Sequence, residues 1–236
     1  MTYPALTPRL HAVADLVPPG TRLVDVGTDH AYLPAYLLGK GRIASAIATD
    51  IRPGPLERAK ATAERYGLEA RVQLRLCDGL DAVDADEVDT VVIAGMGGET
   101  ILAILEADPW SFDKVCVLQP MSAAETLRAG LDLRGISIAR EVLVREGETL
   151  YLLFLLDGGK TEKGNALTSA EHYAGTVSAH GDDPLWPEYL ARSRDRAARA
   201  LVGLERSRKP EDEARRVYFT QVLAGLDEMA KEVESI

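Results

Sequence analysis

Residues 22–33 read Arg-Leu-Val-Asp-Val-Gly-Thr-Asp-His-Ala-Tyr-Leu, and Pro34 closes the run. Leu23, Val24 and Val26 make a short apolar strand that Gly27 ends. A helix is predicted from about His30 to Leu38, with Pro34 in its first turns, where a missing donor costs least. Strand, glycine turn and helix N-terminus form the usual seat for a nucleotide-like ligand in an open α/β sheet. A little over twenty residues past the glycine, Asp50 ends a second apolar strand, Ala46-Ile47-Ala48-Thr49.

Working outward, Leu6, Leu10, Val13 and Leu16 recur at near-helical spacing over 5–17, and Pro18-Pro19-Gly20 stops that helix. Downstream, a helix runs from the Arg52-Pro53-Gly54-Pro55 turn to about Tyr66. Strand three is predicted at 72–77 and ends at Asp78-Gly79; strand four covers 90–94 and ends in Gly95-Met96-Gly97-Gly98. A helix over about 99–106 leads to strand five at 115–118, then Gln119-Pro120 and a helix near 122–134. Strands over about 137–145 and 149–156, joined by Glu146-Gly147-Glu148, close the series as a hairpin. Five strand–helix units and a hairpin predict an α/β, Rossmann-like domain with a mostly parallel sheet. The apolar runs of its early strands suit burial on both faces.

Asp157-Gly158-Gly159-Lys160 through Asn165 is polar and glycine-rich, which places a domain boundary there: 1–160 and 161–236. In the second part, Phe219, Val222, Leu226, Met229 and Val233 are spaced three and four apart, a coiled-coil seam. Leu190, Ala197, Leu201 and Leu204 make a weaker stripe, and Lys209-Pro210 separates the two. An antiparallel helical hairpin is the expected outcome.

Apolar residues at 46% suffice for a sizeable core, and no stretch approaches the ~18 consecutive apolar residues of a membrane span. The first ten residues lack the basic and apolar regions of a signal peptide. Cys77 and Cys116 lie in apparent core strands and read as reduced thiols of a cytoplasmic protein. His11, His30, His172 and His180 are scattered, so no metal site is expected. The net charge of −10 argues against nonspecific nucleic-acid binding, while leaving room for a local basic patch. Nothing in the composition sets the oligomeric state.

Ligands in such sheets lie beyond the carboxyl ends of the strands. Those ends carry Gly27-Thr28-Asp29, Asp50, Asp78-Gly79 and Gly95-Met96-Gly97-Gly98. The full Gly-x-Gly-x-x-Gly dinucleotide fingerprint is absent. Asp29 would repel a pyrophosphate at a helix N-terminus but tolerate a sulfonium or ammonium group, which favours S-adenosylmethionine over a nicotinamide dinucleotide; alternatively Asp29 only caps the helix. Asp50 suits a ribose diol, or merely starts a loop. Asp78 could accept from an adenine amino group, or be an ordinary turn residue. Three glycines in four positions strip side chains from one spot on the rim, letting a cofactor or flat base approach the main chain.

These residues together resemble the bacterial tRNA adenine-N1 methyltransferases of the TrmK type. The matching runs are Asp25-Val26-Gly27-Thr28-Asp29-His30-Ala31-Tyr32-Leu33-Pro34, Asp78-Gly79-Leu80, Ile93-Ala94-Gly95-Met96-Gly97-Gly98 and Leu118-Gln119-Pro120, in order, across about 1–156. The resemblance implies a class I methyltransferase domain that binds S-adenosylmethionine, with the helical hairpin helping to hold tRNA. It also implies that Gly27, Asp29, His30, Asp50, Asp78 and the Gly95-Met96-Gly97 turn line the cofactor pocket. Their strand-end neighbours Asp25, Thr28, Ile51, Gly79 and Ala94 are placed with them. The chain departs from the family pattern at Met121, where Asn usually follows Gln-Pro, and at Leu152, where an acidic residue commonly follows the tyrosine.

Adenine N1 already carries a lone pair, so alignment can provide much of the acceleration. The product base is cationic, which makes Asp29 the candidate for stabilising the developing charge, with His30 or Tyr32 shaping the pocket. N1 lies on the pairing edge, so the base must be unpaired or swung out; Gln119 could read that edge and Tyr32 could stack on the base. Residues 192–216 hold nine basic residues against five acidic ones, a patch for phosphates or a solvated helix face. Two rival readings share the cofactor residues: a methyltransferase acting on another RNA, a protein or a small molecule, and a non-catalytic S-adenosylmethionine-binding module.

Overall fold

The computed structural model describes residues 3–160, 167–180, 182–206 and 209–234. The chain divides into two compact units, Met1–Ala123 with Ile136–Thr161, and Ala124–Gly135 with Glu162–Ile236.

The first unit opens with helix α1, Pro8–Leu16. The Thr7 hydroxyl accepts from the Leu10 amide at 3.4 Å, and Pro8 takes the first-turn position where its missing N–H is harmless. Strands β1 (Arg22–Val26), β2 (Ser45–Asp50), β3 (Val72–Leu76), β4 (Thr90–Gly97), β5 (Val115–Ser122), β6 (Arg140–Glu146) and β7 (Thr149–Leu156) form one sheet in the order 3-2-1-4-5-7-6. The first five are parallel, and β7 pairs antiparallel with both β5 and β6. Helices α2 (Tyr32–Gly39), α3 (Pro53–Tyr66) and α4 (Gly98–Ala107) connect the parallel strands. Leu23, Leu37, Val92, Val117 and Leu153 are fully buried or nearly so in the core, each a burial worth about 1.5–3 kcal/mol.

Three boundaries differ from the sequence expectation, each for a physical reason. Helix α2 starts at Tyr32 instead of His30, because Ala31 takes a left-handed φ of 52° and residues 28–30 form a turn. Strand β3 stops at Leu76, leaving Cys77 half-buried just past its end. Strands β4 and β5 run on through Gly97 and Ser122, because their pairing continues past two register shifts, Met96 opposite Pro120 and Gly97 opposite Ser122. Gly98 marks the close approach there: a Cβ on it would lie 2.1 Å from the Ala123 carbonyl oxygen. The β6–β7 turn uses Gly147 at a φ of 58°.

The second unit holds α5 (Ala124–Leu133), α6 (Ser169–Ala174), α7 (Val177–His180), α8 (Trp186–Glu205) and α9 (Glu213–Glu234). Helix α5 groups with the C-terminal helices although it follows β5 in sequence. The buried Arg128 guanidinium donates to the carbonyls of His172, Tyr173 and Ala174 at 3.0–3.3 Å, satisfying the end of α6. His172 Nε2 lies 3.0 Å from Asp132 Oδ2. Helices α8 and α9 pack on each other as a hairpin; Val222, Leu226 and Met229 of α9 and Leu190, Ala197 and Leu204 of α8 are buried. Of the boundary read at 157–165, residues 161–165 lie outside the described residues.

Candidate active site

The carboxyl ends of β1, β2 and β3 are stitched into one rim by the main chain. Gly27 and Thr28 amides both donate to the Thr49 carbonyl, at 2.8 and 2.9 Å, and the Cys77 amide donates to the Asp50 carbonyl at 3.1 Å. The Thr49 hydroxyl donates to the Gly79 carbonyl at 3.0 Å. Gly27 holds a φ of 71°, and a Cβ there would sit 2.1 Å from the Met96 terminal methyl. Only glycine meets both demands without strain.

Beyond Gly27 the loop is organised by Thr28. Its buried hydroxyl accepts from the Ala31 amide at 3.1 Å and hydrogen-bonds the Asp25 carboxyl. Ala31 occupies the position before α2 with no side-chain cap, so Asp29 is not a helix cap. Asp25 is buried inside β1, and desolvation pushes its carboxyl up to about 6. Asp29 is exposed and pairs with the Arg58 guanidinium of α3, which holds its carboxyl below the usual range. His30 Nε2 lies 3.4 Å from the other Asp29 oxygen, and the His30 ring stacks on Tyr32 at 4.9 Å with planes 9° apart. Asp29, His30, Tyr32 and Arg58 therefore form one cluster.

On the neighbouring strand ends, Asp50 is buried and its Oδ1 accepts from the Arg52 amide at 2.8 Å. Ile51 is exposed, and so is Asp78. A groove of about 420 Å³ lies between the loop after β3 and α4. Asp78, Asp81, Glu99 and Asp108 stand around it, with Gly79, Leu80, Ala103 and Ile104 on its wall. Carboxylates at the mouth and an apolar wall suit an uncharged purine and repel phosphate.

Ala94 through Gly97 forms the irregular end of β4, with Gly95 exposed at a φ of 87°. Gln119, fully buried on β5, makes no hydrogen bond to Asp29, His30 or Tyr32. Its carboxamide oxygen accepts from Arg9 at 2.6 Å, and its amide nitrogen donates to the Pro120 carbonyl at 2.9 Å. The Arg9 guanidinium lies 5.4 Å from the Tyr151 ring centre, and the Arg9 amide donates to Glu146 at 2.9 Å. The sequence does not single out Arg9 or Arg58, because an arginine on an amphipathic helix has no local signal of its partner. Of the two departures from the family pattern, Met121 is exposed and Leu152 is buried on β7, opposite Leu143 of β6. Among the described residues, no group of three His, Cys, Asp or Glu is placed to hold a metal, and no helix is long and apolar enough to cross a membrane.

In the second unit, taken by itself, most of the expected basic patch is paired. Arg192 bonds Glu188 at 2.6 Å, Arg194 bonds Asp227 at 2.5 Å, Arg215 reaches Asp212 at 3.4 Å and Arg216 bonds Glu213 at 2.6 Å. Arg196 donates to the Tyr173 hydroxyl at 2.9 Å. Arg199 and Arg206 are exposed without an ion pair among the described residues; Arg208 lies outside them.

A methyltransferase domain family matches residues 6–154. The chain is 36% identical to the tRNA (adenine(22)-N(1))-methyltransferase of Bacillus subtilis over 65% of its own length and 66% of that relative, just under two thirds. The crystal structure of the B. subtilis m1A22 tRNA methyltransferase TrmK superposes with a TM-score of 0.85 at 27% identity, covering 96% of this chain and 99% of that one. The chain belongs to the methyltransferase domain family, in its TrmK branch. A further member, M. capricolum TrmK in complex with S-adenosyl-homocysteine, superposes with a TM-score of 0.78 at 26% identity, covering 97% of this chain and 98% of that one. These structural likenesses extend over nearly the full length, so the helices after β7 are part of what the branch shares.

Proposed function

We propose that this methyltransferase transfers a methyl group from S-adenosylmethionine to N1 of an adenine in tRNA, at the position numbered 22 in the B. subtilis relative's name. The observation that carries the reading is the character of the rim. The end of β1 carries Asp25 and the turn after it carries Asp29, on either side of a left-handed Gly27, where a pyrophosphate site needs bare amides. The residues fit S-adenosylmethionine on their own chemistry, since its sulfonium and ammonium are cationic and it carries no phosphate. Gly27 with Thr28 and Asp25 would hold its charged part, Asp50 its ribose hydroxyls, and Asp78 with Gly79 its adenine in the acidic-mouthed groove. Ile51 and the Ala94–Gly97 turn would flank it. When bound, the group supplies an electrophilic methyl.

The chain's own residues position and shield. Adenine N1 brings its own lone pair, so no side chain has to remove a proton before attack. Asp29 stabilises the positive charge that builds on the base, and its pairing with Arg58 keeps the carboxylate ionised and in one place. The stacked His30–Tyr32 pair bounds the space that a base swung out of its stack would enter. Gln119, its carboxamide oriented by Arg9, forms the wall on the β5 side. The α8–α9 hairpin contributes tRNA contacts through Arg199 and Arg206, and the second unit serves as the tRNA-holding domain. Work on tRNA places the protein in the cytoplasm. Incubation with labelled S-adenosylmethionine and unmodified tRNA, followed by nucleoside mapping, tests the reading. Label in 1-methyladenosine at one position supports it; label confined to protein or metabolites overturns it.

A further inference from the structure

We propose that the groove between the loop preceding α2 and helix α3 is a second nucleotide-docking site, which takes an unpaired nucleotide of the RNA next to the target adenosine. This rests on the functional reading above and names a contact surface for that substrate. The groove measures about 230 Å³ and is lined by His30, Tyr32, Arg58, Arg65 and Tyr66 among others. One end is the stacked His30–Tyr32 pair, with Tyr32 42% exposed, so a ring face is left for a base. Further along α3 stands Arg65, its guanidinium 5.6 Å from the Tyr66 ring centre. Arg58 and Arg65 are seven residues apart, two turns or about 10 Å along the same helix face. Their charges are not equivalent. Arg58 is committed to Asp29, whereas Arg65 has no ion pair among the described residues. In a chain of net charge −10, an uncompensated arginine beside an exposed aromatic shelf is a local exception. Aromatic faces with adjacent arginine are what single-stranded nucleic acid uses, base on ring and phosphate on cation. The Asp29–Arg58 pair joins the groove to the methyl-transfer cluster, so its occupant lies within one or two nucleotides of the target.

The test uses the full chain, unmodified tRNA and labelled S-adenosylmethionine, with Arg65→Ala, Arg65→Glu and Arg65→Lys variants. Arg65→Ala should raise the KM for tRNA roughly three- to tenfold, Arg65→Glu should raise it further, and Arg65→Lys should restore most of it. Turnover at saturating tRNA and affinity for the methyl donor should stay at the unaltered value. The slope of log KM against log salt should fall by ~0.7–0.9 in Arg65→Ala, the signature of one lost phosphate contact. Unchanged KM and salt slope in both Arg65→Ala and Arg65→Glu, with the unaltered chain active on tRNA, overturns the groove proposal alone. No transfer to tRNA by the unaltered chain overturns the functional reading and this one with it.

Discussion

Replacing Asp25 with Asn should stabilise the sheet, by an amount that grows with pH. Asp25 is 8% exposed on an interior strand, and burial pushes its carboxyl from 3.8 up to about 6, with the Thr28 hydroxyl opposing in part. The folded chain therefore holds this proton more tightly than the unfolded chain does. Stability from the protonated form is fully present below about pH 3.8 and is lost as pH rises through about 6. A shift of about two units at ~1.4 kcal/mol each makes the ionised carboxylate cost about 3 kcal/mol at pH 8 and about half of that at pH 5. Asn keeps the shape and an oxygen for the Thr28 hydroxyl but carries no charge, so Asp25→Asn should recover up to that amount. A global unfolding midpoint would mix the two units, so amide exchange at Leu23, Val24 and Val26 is the better readout. Protection should rise roughly a hundredfold at pH 8 and about tenfold at pH 5. An equal gain at both pH values, or a loss at pH 8, refutes the argument. The same variant should bind S-adenosylmethionine more weakly, which is the reason to keep a carboxylate where it destabilises.

Asp29→Ala should lower turnover at least tenfold, about 1.4 kcal/mol of transition-state stabilisation; a change confined to donor affinity would remove its catalytic role. Gly27→Ala should cost about 1–2 kcal/mol from the left-handed backbone alone, plus a clash with Met96. Pairing it with Met96→Ala should recover the clash and leave the torsional part, as amide exchange along β1 in the single and double variants will show. Arg9→Ala and Gln119→Ala should each reduce turnover with donor affinity unchanged, and the double variant should be no worse than the poorer single, because one acts through the other. On the hairpin, Arg199→Ala and Arg206→Ala should each lower the salt slope of tRNA binding, while Arg194→Ala, already bonded to Asp227, should change it little.

What the sequence could disclose was set by range. The sheet was legible because each strand's identity is local: Leu23-Val24 and Ala46-Ile47-Ala48 are apolar runs bounded by Gly27 and Asp50, and the order of strand–helix units restricts the topology. The α8–α9 hairpin was legible for the same reason, its seam being written at three- and four-residue spacing. The start of α2 was not, because an alanine in the left-handed region at 31 depends on the Thr28 hydroxyl and on Met96 crossing over Gly27, a contact 69 residues away in sequence. Nor was the reach of β4 and β5 past Ala94 and Leu118, since a strand that continues through glycines and a proline gives no periodic signal. Helix α5 shows the limit at domain scale. It reads as one more helix of the α/β series, but its Arg128 side chain closes α6, 44 to 46 residues on.

For the site, residue identity was readable and charge state was not. The run Gly27-Thr28-Asp29-His30 announces a rim of carboxylates, but composition cannot tell that Asp25 is desolvated while Asp29, four residues on, is exposed and held ionised by Arg58. The same blindness applies to cations. Nine basic residues between 192 and 216 look like the strongest phosphate-binding feature of the chain, but folding spends most of them on Glu188, Asp227, Asp212, Glu213 and Tyr173. Arg65, ordinary in sequence, keeps its charge beside an exposed ring. A polyanionic substrate approaching a chain of net charge −10 is repelled on average, so its path is set by exposed cations whose partners are not acids. On that argument the uncompensated arginines at 65, 199 and 206 matter more to RNA binding than the density of basic residues, and the salt slopes of the single variants rank them directly.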